Sequence, residues 1–248
     1  MCTQELPHDW MECLTQALKE KASCHVVPSR SSQCIVIIMT EKMKYMLKTY
    51  GSVTLMDGTY KTSKWGLPVV ILTVVNAQNT AYPACFAIVS SETNDSIMEL
   101  LLHVKQLVPE WVPETFMVDK SDAEMYAIKM IFPLAAILLC YFHVKQAWMR
   151  WIRKSDNGVG EEGNRQELYN LLEAICHAST FEAMEGGILK LTDSRFFKNA
   201  KVQNLWNTEW GNCLELWVGA HRARVFNRGI DTNNPAESLN RYYLIQSF

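Results

Sequence analysis

The order of the apolar segments between residues 53 and 140 constrains the fold more than any other feature of the sequence. Three of these segments are predicted to be strands joined by short turns, because they alternate with period two or are rich in β-branched residues: 53–57, 67–76 and 84–90. Four further elements follow, alternately helix and strand by the spacing of their apolar residues: 94–108, 115–119, 122–131 and 135–140.

This order predicts a fold class and a division of the chain. Three meandering antiparallel strands followed by two helix-linked parallel strands predict an α/β protein with a ribonuclease-H-like mixed sheet. Four regions are predicted along the chain: an N-terminal helix (9–20) and polar loop (21–33) within 1–33, the core at 34–154, an all-helical insertion at 155–228, and a truncated last core helix at 229–248.

Composition describes an ordinary globular protein. The chain has 248 residues, 48% of them hydrophobic, with a formal net charge of -2, so any contact with nucleic acid has to come from local basic clusters. The eight cysteines are scattered, and the sequence shows no secretory signal and no apolar run long enough to span a bilayer. We therefore expect a soluble, intracellular protein without membrane contact.

Two aspartates stand at predicted strand positions. Asp57 begins an Asp-Gly pair, which is a hairpin-turn signal, but alternation also aligns it with core residues of a strand, where a carboxylate needs a partner such as a metal. Both interpretations stay open. Asp119 ends the predicted strand TFMVD, and Ser121 with Glu124 already forms a helix-capping box. Asp119 is thus left at the carboxyl end of a parallel strand, where open α/β sheets bind ligands.

Glu237 is a third acidic candidate with a strong structural alternative. The run Asn234-Pro235-Ala236-Glu237 fits a capping box with proline at the first helical position, and the residues alone favour that cap. The three carboxylates together would suit phosphodiester chemistry, which uses two divalent ions held by hard oxygen ligands.

Three sequence blocks carry a resemblance to a known family. In chain order they are DGTYKT at 57–62, FMVDKSDAEMYAIKMIFPLAAILLCYFHVKQA at 116–147, and TNNPAESLNRYY at 232–243. They resemble the first-aspartate, second-aspartate and last-helix segments of Mutator-like element (MULE) DNA transposases. The resemblance implies a ribonuclease-H-like catalytic domain in which Asp57, Asp119 and Glu237 bind two Mg²⁺ or Mn²⁺ ions.

The resemblance also implies a setting for the chemistry. A transposase of this family cuts and rejoins DNA in the nucleus, during DNA transposition and recombination. Its DNA partners are the transposon ends and the target, and because two ends are cut, a homodimer is expected.

Cys140 and His143 form a Cys-x-x-His pair inside the second block. This pair is only half of a zinc site, and the other cysteines and histidines lack ligand-like pairing, so structural zinc is not favoured. We predict instead that Cys140 packs at the end of its strand. His143 is predicted to face the phosphate-binding cleft as part of the catalytic site.

Two basic clusters flank the predicted catalytic residues. They are Lys145, Arg150, Arg153 and Lys154, and Arg222, Arg224 and Arg228. Each cluster taken alone is more typical of a solvated helix face. Their position beside the predicted site favours DNA phosphate as their partner.

The sequence leaves more than one function open. An active strand-transfer enzyme is favoured because all three acids are retained. Family members usually carry a zinc-dependent DNA-binding module before the core, and the sequence shows none. Its absence favours a transposon-derived, host-adopted protein that binds DNA or protein without catalysis. A nuclease of the same fold would use the same metals without joining ends, and only its reaction products would distinguish it.

Overall fold

The computed structural model describes residues 24–28, 34–59 and 67–232. The chain divides into two compact units, one comprising residues 1–135 with 233–248 and the other residues 136–232. The predicted core–insertion boundary after residue 154 therefore falls inside the second unit. The predicted helix at 9–20 and residues 233–248, including Glu237, lie outside the described part of the chain.

Six strands of the first unit form one mixed sheet in the order β1-β2-β5-β4-β3-β6. Their bounds are β1 Cys24–Pro28, β2 Cys34–Ile38, β3 Val53–Thr59, β4 Val69–Val75, β5 Ala81–Val89 and β6 Thr115–Val118. All of the neighbours pair antiparallel except β3 and β6, which are parallel. The predicted meander of three strands, followed by a strand parallel to the first of them, is confirmed.

The edge strand β1 corrects the prediction of a polar loop at 21–33. Residues 24–28 pair antiparallel with β2, with Cys24 opposite Ile38 and Pro28 opposite Cys34. The serines and the proline of this stretch favour a loop locally, but pairing with an apolar neighbouring strand overrides such preferences. Proline is tolerated here because it ends a strand at the edge of the sheet.

Three helices belong to the first unit: α1 Glu41–Tyr50, α2 Asn94–Leu107 and α3 Asp122–Ile131. Each begins after a residue whose side chain accepts a hydrogen bond from the backbone N–H three residues later, which satisfies one open donor of the first turn. These capping residues are Thr40, Thr93 and Ser121.

The second unit begins with strand β7 (Ala136–Leu139) and continues as helices. These are α4 Tyr141–Ile152, α5 Glu162–Cys176, α6 Phe181–Thr192, a 3₁₀ turn Arg195–Lys198, α7 Ala200–Asn204, a π turn Leu205–Trp210, α8 Leu214–Trp217 and α9 Gly219–Arg222. From 155 to 228 every regular element is helical, as predicted. No helix in the described residues is both long and apolar enough to cross a bilayer.

Candidate functional site

The parallel pairing of β3 with β6 sets Asp57 beside Asp119. The register joins Val53 to Thr115 and Leu55 to Met117, a constant offset along the two strands. The same offset carried two residues further brings Asp57 opposite Asp119, one residue past the end of β6. Because side chains alternate between the faces of a sheet, Asp57 points to the face that carries Leu55, and the same alternation continued past Val118 would bring Asp119 to that face as well.

Asp57 is buried in an apolar environment. Its side chain is 6% exposed, and on the neighbouring strand it pairs with Ile71, which belongs to an apolar cluster with Val69 and Ile88. The Asp-Gly pair lies inside β3, which continues to Thr59, so the hairpin-turn interpretation is wrong. A carboxylate in such surroundings is costly unless charged or hydrogen-bonding groups compensate for it.

Only half of the predicted capping box at Ser121 forms as expected. Ser121 Oγ accepts the N–H of Glu124 at 3.4 Å, but the N–H of Ser121 donates to the carbonyl oxygen of Asp119 at 2.8 Å. The Asp119 backbone is therefore held by the start of α3, and its side chain is half-buried. This hydrogen bond holds the Cα of Asp119 in place, so the side chain starts from a fixed position.

Glu92 and Glu124 approach the opposite face of β3. Neither of them is among the predicted site residues. A Cβ placed on Gly58 would lie 2.8 Å from Oε1 of Glu92 and 3.2 Å from Oε1 of Glu124, so these oxygens are within about 6 Å of each other. Glu124 is 5% exposed, and burial raises the pKa of Glu92. Glu92 lies in the short segment between β5 and Thr93, the capping residue of α2, and an acid in this segment is the signal that the sequence offers.

Strand β3 thus separates two pairs of acids. Asp57 and Asp119 share one face, whereas Glu92 and Glu124 approach Gly58 on the other, because adjacent strand residues point to opposite faces. Within the described ranges, no three histidine, cysteine, aspartate or glutamate side chains are grouped so that they could hold a metal ion. The Asp57 face offers two hard carboxylate ligands of the kind that Mg²⁺ and Mn²⁺ prefer, and a further acid would have to complete the set.

The pH dependence of stability tests the environment of Glu92. A raised pKa means that the folded state holds the proton more tightly, so stability falls as the pH rises through the folded-state pKa. We expect Glu92→Gln to be more stable than the wild type at pH 7 and the two proteins to converge near pH 3, below the ordinary glutamate pKa of about 4.3. Urea unfolding at several pH values measures this difference.

Glu110→Gln is the matched control for that experiment. In the wild type, the hydrogen bond from Lys48 lowers the pKa of Glu110. The Glu110 carboxylate therefore stabilises the fold above its ordinary pKa, and this stabilisation is lost as the pH falls. The control should therefore change stability in the opposite direction at pH 7. A Glu92→Gln protein that is less stable than wild type at pH 7 would show that Glu92 is stabilised as an anion.

Cys140 and His143 lie at the start of α4 in the second unit. Cys140 is fully buried directly after β7, as predicted for a residue that packs at the strand end. His143 is half-buried, and its ring lies edge-on to Phe142 with the centroids 5.3 Å apart. The predicted contact between His143 and phosphate stays a prediction.

The first basic cluster is partly available to solvent. Lys145 is half-buried and forms an ion pair with Glu173 at 2.7 Å. Arg150, Arg153 and Lys154 are exposed at the carboxyl end of α4. These three are the members of the cluster with free surface for phosphate.

The second basic cluster is divided by burial. Arg224 is exposed, with its guanidinium 4.5 Å from the ring centre of Phe181. Arg228 is half-buried and adopts a positive φ of 55°. Arg222 is only 3% exposed, and its guanidinium donates to the carbonyl oxygen of Leu139 at 2.7 Å. This burial argues against the predicted phosphate contact of Arg222.

The sheet order is that of a ribonuclease-H-like domain. The family model for the RNaseH-like domain of zinc finger SWIM domain-containing proteins 1 and 3 matches residues 12–138, just over half of the chain. The chain belongs to this family.

A curated protein also shows similarity over most of the chain. It is the PKS-NRPS hybrid synthetase cheA of Chaetomium globosum, which is 24% identical over 221 residues. The aligned region covers 79% of this chain but only 5% of that protein. The similarity is therefore to a small part of a much longer polypeptide, and the activity in that protein's name is not carried over to this chain.

Proposed function

We propose that this chain is the catalytic domain of a transposase-type enzyme that cuts DNA and joins strands. Asp57, Asp119 and Glu237 are the proposed ligands of two divalent ions, Mg²⁺ or Mn²⁺. The observation that supports the proposal best is the parallel register of β3 and β6, which would bring Asp57 opposite Asp119 if it continues for two more residues. This proposal is also supported by the three sequence blocks that resemble MULE transposases.

The residues of the chain have separate roles in the proposed mechanism. When bound, the ions would clamp the attacking and leaving oxygens of the phosphodiester and stabilise the charge that develops on them. Asp57 supplies a water-excluded carboxylate, since its side chain is 6% exposed. Asp119 supplies a second carboxylate from a backbone fixed by the start of α3. His143 is proposed to contact the phosphate, and unchanged cleavage by His143→Ala would remove that role.

DNA cleavage assays test the proposed reaction. The purified protein is incubated with Mn²⁺ and supercoiled plasmid, together with a labelled oligonucleotide that ends in a 3′-hydroxyl. Nicked plasmid with the label covalently joined supports strand transfer. Nicking without joining would reassign the chain to the nucleases of this fold, and no nicking with either Mn²⁺ or Mg²⁺ would contradict catalysis.

The basic clusters are the proposed DNA-binding surface. Arg150, Arg153 and Lys154 are the exposed residues of the first cluster and Arg224 is exposed in the second, whereas Lys145 and Arg228 are half-buried. Contacts with phosphate release counterions, so each lost contact reduces the slope of log affinity against log salt by about 0.9. The proposed place of action is the nucleus, and the proposed assembly on two DNA ends is a homodimer.

Removing two charges from the carboxyl end of α4 is expected to weaken DNA binding. We expect Arg150→Ala with Arg153→Ala to reduce the salt slope by about 2 on duplex DNA, because two phosphate contacts are lost. Fluorescence anisotropy at several salt concentrations measures the slope. Lys190→Ala is the control, since Lys190 is an exposed basic residue of α6 outside both clusters. A slope that changes equally in both proteins would show that α4 has no special role.

A second function has one observation in its favour. The family is named after zinc finger SWIM domain-containing proteins rather than after transposases. A host-adopted protein could keep the fold and the basic surface and bind DNA or protein without catalysis. This alternative predicts salt-dependent DNA binding together with unaltered plasmid in the cleavage assay.

A further inference from the structure

The loop that follows α4 is fixed by Asn157. This residue is 3% exposed, and its Nδ2 donates to the carbonyl oxygens of Trp151 and Ile152 at 2.7 Å and 2.9 Å. These carbonyl groups belong to the last turn of α4, where backbone acceptors lack partners within the helix. Asn157 therefore holds the loop against the helix end that carries Arg153 and Lys154.

A distant segment of the same unit packs against this loop. The side chain of Asn199 donates to the carbonyl oxygen of Asn157 at 2.8 Å. The ammonium group of Lys201 donates to the carbonyl oxygen of Asp156. Gly158 has a φ of 76°, and a Cβ at this position would lie 2.8 Å from Nδ2 of Asn199, so the close approach depends on glycine. These contacts bring the 3₁₀ turn and the start of α7 beside the carboxyl end of α4.

The contact gathers basic side chains from two parts of the sequence. Two Cα steps from Lys154 to Asp156 span at most about 7.6 Å, so the ammonium group bound to the Asp156 carbonyl lies near the Lys154 backbone. Lys198 directly precedes Asn199, which binds the same loop. We call the α4–α7 basic surface the five exposed residues gathered here: Arg150, Arg153, Lys154, Lys198 and Lys201.

The residues of this surface differ from four other basic residues of the unit in their partners. Each of those four forms an ion pair with a carboxylate: Lys145, Arg165, Arg195 and Arg222. No member of the α4–α7 basic surface forms an ion pair with a described residue. Like charges that share a surface repel one another, and a bound anion relieves this repulsion. The surface therefore favours an anionic ligand.

We propose that the α4–α7 basic surface binds the phosphate backbone of duplex DNA, with Lys198 and Lys201 adding contacts to those of α4. The inference rests on the proposed DNA-binding function and extends it to two residues that stand apart in the sequence from both basic clusters. Lysine and arginine contacts with phosphate fix a protein on the duplex and carry no sequence information. We therefore expect this surface to bind duplexes of different sequence alike.

Salt-dependent binding tests the two lysines. Fluorescence anisotropy with fluorescein-labelled duplex DNA at several salt concentrations gives the slope of log affinity against log salt. Each lost phosphate contact reduces this slope by about 0.9, so we expect Lys198→Ala with Lys201→Ala to reduce it by about 2. Lys190→Ala, an exposed lysine of α6, is the control and should retain the wild-type slope. A wild-type slope in the double variant would overturn the role of the two lysines.

A charge-conserving variant separates phosphate binding from support of the loop. Lys201 also binds the Asp156 carbonyl, so alanine removes a contact within the protein as well as a charge. Lys198→Arg with Lys201→Arg keeps both charges and should retain the wild-type slope. A slope reduced as much by arginine as by alanine would show that the loop contact, rather than the charge, matters, and would overturn the inference.

Asp156→Asn tests the same surface in the opposite direction. Asp156 is an exposed acid in the loop, and its charge opposes a phosphate bound beside Lys201. We expect the variant to bind DNA about two- to fivefold more tightly at fixed salt, the size typical of one exposed charge interaction. A gain in affinity cannot come from loss of folding. Glu185→Gln, on α6, is the control, and affinity in Asp156→Asn no higher than in this control would overturn the inference.

The outcomes separate this inference from the proposed function. Duplex binding by the wild type, with a slope that falls in Arg150→Ala with Arg153→Ala but not in the lysine variant, would overturn the inference and leave DNA binding by α4 intact. A wild-type protein that does not bind duplex DNA even at low salt would remove DNA binding from the proposed function, and the inference with it.

Discussion

Replacing Asp57 with asparagine is expected to lower the rate of Mn²⁺-dependent DNA nicking by about a thousandfold or more. Asparagine has the same shape as aspartate but no charge, so it binds a divalent cation poorly. The cation would stabilise the reacting phosphate by several kcal/mol, and this stabilisation is lost with it. Each 1.36 kcal/mol of lost stabilisation lowers the rate about tenfold. Plasmid nicking at saturating DNA measures the rate.

The fold should survive this substitution. Asparagine keeps the size and shape of aspartate, so we expect the variant to stay folded, and urea unfolding without metal measures its stability. Asp122→Asn is the control, because Asp122 is an exposed acid close to Asp119 in the sequence. It should nick DNA within about twofold of the wild-type rate. A folded Asp57→Asn protein that retains wild-type nicking would remove Asp57 from the mechanism.

Replacing Trp217 with alanine is expected to lower the free energy of unfolding by about 3–5 kcal/mol. Trp217 is completely buried, and its ring contacts three other tryptophans edge-on with centroid separations of 5.3–6.4 Å: Trp148, Trp206 and Trp210. Its Nε1 donates to the carbonyl oxygen of Trp210 at 3.1 Å. Alanine would leave a large cavity in the helical unit and remove one hydrogen bond to the Trp210 carbonyl, which keeps the bond from the N–H of Cys213 at 3.4 Å.

Urea unfolding followed by circular dichroism measures the cost of this cavity. Phe226→Ala is the control, since this aromatic residue of the same unit is 52% exposed and its truncation should cost less than about 1 kcal/mol. Trp217→Phe should be intermediate, because it keeps part of the ring but loses the Nε1 donor. A loss for Trp217→Ala as small as that of Phe226→Ala would show that the tryptophan cluster does not hold this unit together.

The sheet that carries the aspartates could be predicted because its elements have strong periodicity. The strands at 53–57, 67–76 and 115–119 were identified within a few residues, since buried strands concentrate β-branched side chains. The sequence left Asp57 open between a strand position, aligned with Val53 and Leu55, and a hairpin turn, and the structure decides for the strand. The register that sets it beside Asp119 needed the structure, because pairing between distant segments leaves no local pattern.

Other features could not be predicted because they depend on contacts between distant residues. Glu92 and Glu124 are 32 positions apart, and only the fold brings both beside Gly58. Arg222 lies in the run HRAR, which is typical of a solvated basic face, yet its partner Leu139 is 83 positions away. Strand β1 was missed because its pairing with β2 outweighs the loop preference of the residues around it.

Calorimetric titration with Mn²⁺ tests most directly whether Asp57, Asp119 and Glu237 form one metal site. We expect the wild type to bind Mn²⁺, and Asp57→Asn, Asp119→Asn and Glu237→Gln each to weaken binding by at least about tenfold without unfolding the protein. Asp122→Asn should bind like the wild type. A wild-type protein that shows no binding even with DNA present, or single variants that all keep wild-type affinity, would contradict the account.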